Sequence, residues 1–203
     1  SNIGSTLSNE DGSNLDSETA TKAISDITLA ELMTYIIKRG NSGKYAPPYK
    51  VPTVEEFFNI CKKTGVMPMF SIHPLWSTSE CEMMKTFAEK HNVLNKLTLK
   101  MPIAESYFDY FQALHGVFGE SVKAYALNCS DNIDAMMSRV KNMEIKVPVT
   151  IEMMSDKVSE DIVKSIVSNG FRASVAPAAN HTITGEMLKN WLEWGVTELT
   201  EDN

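Results

Sequence analysis

The sequence predicts an α/β fold, a (β/α) TIM-type barrel that is incomplete or divergent, with six parallel strands recognisable of the expected eight. Three observations predict it. Strand-like apolar runs begin at Val66, Leu97, Val122, Val147, Phe171 and Val196, at intervals of 31, 25, 25, 24 and 25 residues. Amphipathic helical stretches fill the gaps, which is the alternation of βα units on a parallel sheet. Neither G-x-G-x-x-G nor G-x-x-x-x-G-K-[ST] occurs, although open doubly wound sheets usually carry a Gly-rich phosphate turn at their switch point. Near-equal units without such a turn favour the barrel.

The first 26 residues are rich in Ser, Asn, Asp, Thr and Gly. They read as a loop-like or poorly ordered N-terminal segment of one domain spanning residues 1–203. Thr28, with Glu31 three residues on, opens a helix whose apolar stripe is Leu29, Leu32, Met33 and Ile36. Arg39 to Pro52 reads as loop, so residues 1–50 hold one helix and no strand. Thr53 and Glu56 form the next capping box, and Val54, Phe57, Phe58 and Cys61 share a face up to the stop at Gly65.

Val66 to Ile72 is the first strand. Ser77 or Ser79 caps a helix carrying Met83, Met84 and Phe87. Leu97 to Met101 is the second strand, followed by a helix with Tyr107, Phe108, Phe111 and Leu114. Val122 to Leu127 is the third, and Asp131 caps a helix with Ile133, Met136, Met137 and Val140. Val147 to Ile151 is the fourth, with Pro148 at a strand start, where proline is tolerated. A helix from about Lys157 carries Ile162, Ile166 and Val167 and stops at Gly170. Phe171 to Val175 is the fifth strand. Thr184 caps a helix with Met187, Leu188, Trp191 and Leu192, Gly195 stops it, and Val196 to Thr200 is the sixth strand.

Composition narrows the function. Lys and Arg number 19 against 26 Asp and Glu, a net charge of −7, so the basic footprint of a nucleic-acid binder is absent. No run approaches the ~20 apolar residues of a membrane span. No secretory apolar segment opens the chain, so the protein is expected either in the cytosol or exported with its leader removed. Cys61, Cys81 and Cys129 form no Cys-x-x-Cys and define neither a zinc ribbon nor a redox motif. Cys61, on an apolar helix face, reads as a small buried hydrophobe. At the observed pitch two more βα units need about 50 residues, so the front of the barrel is expected to be lost or to belong to a longer polypeptide.

Three short segments, in order, carry a family resemblance: Ile27-Thr28-Leu29-Ala30-Glu31-Leu32, then Lys50-Val51-Pro52-Thr53-Val54-Glu55-Glu56-Phe57, and finally Trp194 to Asn203. They resemble the "TL-x-EL" helix, the "(I/V)PTLEE" helix start and the closing "GVDGIITDNP" of the glycerophosphodiester phosphodiesterase family. The resemblance implies a (β/α) barrel and metal-assisted hydrolysis of a phosphodiester. In that chemistry carboxylates hold a divalent ion such as calcium or magnesium, and two histidines act as acid and base. The family's "HRG" segment is absent from the chain. With Thr6-Leu7 as the family's Thr-Leu step, Ile3-Gly4 occupies the place of its His-Asp pair. Ser71 stands for the metal-binding Glu of the third strand and His73 for its Lys. Pro177-Ala178-Ala179-Asn180 keeps only the Asn of Trp-Thr-x-Asn, and Glu201-Asp202 replaces the closing Thr-Asp.

A barrel places its chemistry where strands end. Those positions are His73, Lys100, Asn128, Glu152, Asn180-His181 and Asp202. His73 is expected to bind a phosphate or act as a base, against a structural role bonded to a neighbouring loop. Glu152 is expected to point into the mouth, with an ion pair to Lys100 across adjacent strands as the structural alternative. Asn128 and His181 read as loop residues, and Trp76 as an aromatic platform beside the strand end. His91 and His115 fall at helix C-termini and take no chemistry; the twelve methionines read as core filler.

The expected function is therefore a glycerophosphodiester phosphodiesterase-like domain whose catalytic residues are largely missing or replaced. The alternative is a non-catalytic module recognising a polyol-phosphate polymer or a protein partner. No catalytic residue and no metal ligand is assigned, and no cofactor is expected for this chain. His73, Lys100 and Glu152 are offered for a glycerol phosphate-type ligand. An oligomer or larger assembly is expected to cover the exposed sheet edges.

Overall fold

The structure is a computed structural model and describes residues 3–37, 49–72, 76–129 and 132–200. It contains β1 (Leu7–Ser8), α1 (Ser17–Thr21), α2 (Leu29–Leu32), β2 (Ile36–Ile37), α3 (Val54–Thr64), β3 (Met69–Ser71), α4 (Thr78–Lys90), β4 (Thr98–Ile103), α5 (Phe108–Phe118), β5 (Ala124–Cys129), α6 (Ile133–Lys141), β6 (Val149–Met154), α7 (Glu160–Ser168), β7 (Arg172–Ala176), α8 (Gly185–Trp194) and β8 (Val196–Leu199). The chain divides into two compact units, residues 1–57 and 58–203.

In the first unit the polar stretch 3–26 holds short elements where sequence predicts loop. The Asp16 carboxylate caps α1 by accepting from the backbone of Glu18 and Thr19 at 3.0 and 2.9 Å. Ile3, Leu7 and Leu15 are buried against Ala20, Ile27, Leu32, Tyr35 and Val51. Thr28 caps α2 as expected, accepting from Glu31 N at 3.1 Å. The helix then ends early, and Ile36 lies in β2, antiparallel to β1, rather than on a helical stripe. The stripe fails because Leu29 is 61% exposed, so no apolar face holds a longer helix.

The second unit is a six-stranded parallel sheet in the order β3-β4-β5-β6-β7-β8. Short crossovers place consecutive strands side by side, as the even pitch predicts. Among the described residues β3 and β8 do not pair, so the sheet is not closed. From β3 to β7 the strands start one to three residues later than the apolar runs, and β8 starts at Val196 as expected. Pro148 shows why: it has no N–H to give, yet its carbonyl accepts from Tyr125 N at 3.0 Å, and regular pairing begins at Val149.

Helix starts follow the expected chemistry. Thr53 and Glu56 exchange bonds at 2.8 and 3.2 Å, Ser77 rather than Ser79 caps α4 together with Glu80, and Thr184 caps α8. Helix α7 starts at Glu160, later than expected, because Ser159 supplies its cap. The expected cap Asp131 lies outside the described residues. Gly195 ends α8 with φ at +112°, a left-handed conformation that favours glycine.

The helix-facing side of the sheet is the core. Leu99, Met101, Ile103, Tyr125, Leu127, Cys129, Ile151, Met153, Ala173 and Val175 are buried there, against Phe111, Leu114, Met137, Val163, Ile166 and Trp191 from the helices. Met84, Met136 and Met137 are core filler as predicted, whereas Met67, Met69 and Met83 are exposed. All three cysteines are free and buried.

Candidate functional site

The opposite face of the sheet carries the polar residues. Strand alternation puts Thr98 and Lys100 of β4, Ala124, Ala126 and Asn128 of β5, and Thr150 and Glu152 of β6 on it. Arg172 and Ser174 of β7 and Glu198 of β8 share that face. The sheet curls around this face: residues of β3, such as Met69, and of β8, such as Glu198, line one cavity.

At the centre lies Glu152, the one charged residue fully buried among the described residues. Its Oε1 is 2.7 Å from Lys100 Nζ and accepts from Asn128 Nδ2 at 2.8 Å. Its Oε2 accepts from Lys100 Nζ at 2.9 Å and from Thr200 Oγ1 at 2.6 Å. Burial alone pushes the Glu152 carboxyl up. Hydrogen bonds from Lys100, Thr200 and Asn128, with the Lys100 charge, outweigh it and hold the carboxyl below its ordinary range.

Two sequence expectations change here. The ion pair joins β4 to β6, not adjacent strands: β5 lies between, and the small Ala126 beside Lys100 leaves room for the contact. Glu152 sits within β6 rather than at a mouth, because that strand runs on to Met154. Groups from alternate strands meeting in one layer is the packing of a (β/α) barrel interior.

Asn128, expected in a loop, is in β5 and serves Glu152. Thr200 and Ser155 had no signal in sequence. Ser155 is buried; its Oγ accepts from Ala178 N at 2.9 Å and lies 2.7 Å from His181 Nδ1, tying the loop after β7 to the end of β6. Asn180 precedes that histidine with φ at +62°. His73 and Asp202 lie outside the described residues, as do Pro74 and Leu75, which separate His73 from Trp76.

Among the described residues around Glu152 no donor set for a divalent ion is assembled. Such an ion needs several oxygens converging on one point. Ser71, at the position where a carboxylate is expected, is an exposed hydroxyl on β3, and both Glu152 oxygens are already held by Lys100, Asn128 and Thr200. Among the described residues no three His, Cys, Asp or Glu side chains gather into a metal-holding group. Nor is any helix among them long and apolar enough to cross a membrane.

No protein-family model and no curated protein matches the chain. Solved structures do. A protein from Silicibacter pomeroyi DSS-3, assigned as a glycerophosphoryl diester phosphodiesterase, superposes with a TM-score of 0.68 at 11% identity, covering 96% of this chain and 70% of its own. A protein of the same assignment from Agrobacterium tumefaciens C58 gives 0.66 at 19% identity over 90% of this chain and 70% of its own. One from Galdieria sulphuraria, assigned as a glycerophosphodiester phosphodiesterase, gives 0.65 at 13% identity over 92% and 70%. The chain shares its fold with these three proteins over most of its length.

Proposed function

We propose that this chain is a glycerophosphodiester phosphodiesterase-like domain that does not turn over diesters and serves as a binding or structural module. The observation that carries the reading is the neutralised pair at its centre. Glu152, whose two oxygens are taken by Lys100, Asn128 and Thr200, is free neither to ligate a metal nor to take up a proton near neutral pH. Cleaving a phosphodiester calls for neutralising the phosphate charge as well as acid–base groups.

The ligand class is a glycerol phosphate-type group of a polyol-phosphate polymer or a protein partner. At mildly acid pH His73 and Lys100 supply positive charge, opposed by the Glu152 carboxylate paired with Lys100. Association through the sheet edges is part of the same reading. Val66, Met67 and Met69 around β3 and Leu199 of β8 are roughly half exposed, from 47 to 60%, and an exposed apolar edge strand invites pairing.

The test is a hydrolysis assay on glycerophosphodiesters with calcium or magnesium added, paired with light scattering. The expected result is no turnover above background and a species larger than a monomer. Metal-dependent turnover by the unmodified chain overturns the proposal.

A further inference from the structure

The curled face holds a cavity of about 370 Å³, within the size range of small-molecule sites. It opens on the side where the strands begin: Met67, Pro68, Thr98, Ala124 and Arg172 line it, and each sits at or just before a strand's first residues. A barrel's chemistry normally lies at the other end. Ala124 and Ala126 give it room, and Met67, Met69 and Leu199 make an apolar wall.

Its polar lining is only partly satisfied. Ser174 is 2% exposed and lines the cavity, yet its hydroxyl has no hydrogen-bond partner among the described residues. The Thr98 hydroxyl, also in the lining, has none among them either. Thr150 Oγ1 reaches Glu198 Oε1 only at 3.4 Å. Neither the Ser174 nor the Thr98 hydroxyl is sealed in the core; both belong to the cavity lining, where an entering ligand can reach them. The charges at the rim are Lys123, whose ammonium faces the Met67 thioether, Arg172, and Glu198, 3.7 Å from the guanidinium. Glu152 is already neutralised by Lys100. Arg172 is paired with Glu198, and Lys123 has no carboxylate opposite it among the described lining residues, so the rim keeps a net positive charge.

We infer that this cavity is a second binding site, at the strand-start end of the sheet, for a small polyhydroxylated anion. Hydroxyls of the ligand pair with Ser174, Thr98 and Thr150, and its anionic group lies between Arg172 and Lys123. Sugar acids and polyol phosphates share this chemistry. Glu152 and Thr200 also line the cavity, but the inference goes beyond the proposed function, because the ligand is held by Ser174, Thr98, Thr150, Arg172 and Lys123 and by neither His73 nor Lys100.

Calorimetric titration of the full chain with glucuronate, glycerol phosphate and sorbitol tests it. One-to-one binding of glucuronate is expected, with neutral sorbitol about tenfold weaker, the worth of a charge-assisted hydrogen bond. Ser174→Ala is expected to weaken glucuronate about fivefold, and Arg172→Gln about tenfold. Thr98→Val serves as a second variant away from the buried strand centre, and thermal melts of all three confirm folding. Stronger binding of glucuronate than of glycerol phosphate identifies a sugar acid as the better source, and the reverse a polyol phosphate. No glucuronate or glycerol phosphate binding at millimolar concentration, or binding unchanged in folded Ser174→Ala and Arg172→Gln, overturns the inference. Diester turnover in the separate assay defeats the proposed function and leaves this site standing.

Discussion

The two faces of the β3–β8 sheet are built on opposite principles. Toward the helices, every strand from β4 to β7 presents residues such as Leu99, Leu127, Ile151 and Val175, each no more than 1% exposed, and the fold's stability comes from their burial. Toward the cavity, the same strands present Lys100, Asn128, Glu152 and Ser174. Contacts there are few, directional and charged. The helix face therefore tolerates exchange among apolar residues of similar volume, while the inner face depends on partners that come as a set.

Breaking that set gives the largest expected effect. Glu152→Ala removes the partner of a lysine whose side chain is only 19% exposed, and is expected to cost about 3–5 kcal/mol in chemical denaturation. Lys100→Met combined with Glu152→Leu removes both charges and is expected to lie close to wild type, since apolar replacements of a buried pair are often neutral or stabilising. A double variant as unstable as Glu152→Ala alone means that packing, not charge, sets the cost. Leu127→Ala, on the other face, is expected to lose about 2–5 kcal/mol through the cavity it leaves and to keep ligand titrations unchanged.

Acid sharpens the same comparison. The Glu152 carboxyl is held below its ordinary range, so its contribution is fully present above the unfolded-state glutamate pKa of about 4.3. That contribution is lost as pH falls through the lower folded value. Melting temperature is expected to drop over this interval in wild type, with this component missing in Glu152→Gln. A smaller readout comes from Cys129 on the helix face, whose thiol burial pushes up to about 12. It is expected to resist iodoacetamide in the folded chain at pH 8 and to react once unfolded. The smallest effect expected is Thr184→Ala, which removes the α8 cap and costs about 1 kcal/mol.

The fold was legible because its signals are local. Pitch, caps such as Thr53, Ser77 and Thr184, and stops such as Gly170 and Gly195 lie within a few residues of what they control. Short apolar segments were less legible: Ile36 fits a helical period as well as a strand, and only pairing with Ser8 decides. The inner face was half legible. Lys100 and Glu152 stood out as charges at strand positions, yet their meeting across β5 depends on sheet curl, which no local pattern encodes. Thr200 and Asn128 are ordinary polar residues whose role follows from register alone. The reading of Ser71 as standing where the resembled family has a metal-binding Glu rests on the resemblance alone and on no local pattern.

The most direct test of the account is calorimetric titration of the unmodified chain with calcium and with magnesium. If Glu152 is committed to Lys100, Asn128 and Thr200, neither ion gives heat beyond dilution. Micromolar binding of either ion that disappears in Glu152→Gln contradicts the account, because it requires the carboxylate to leave Lys100 for a metal.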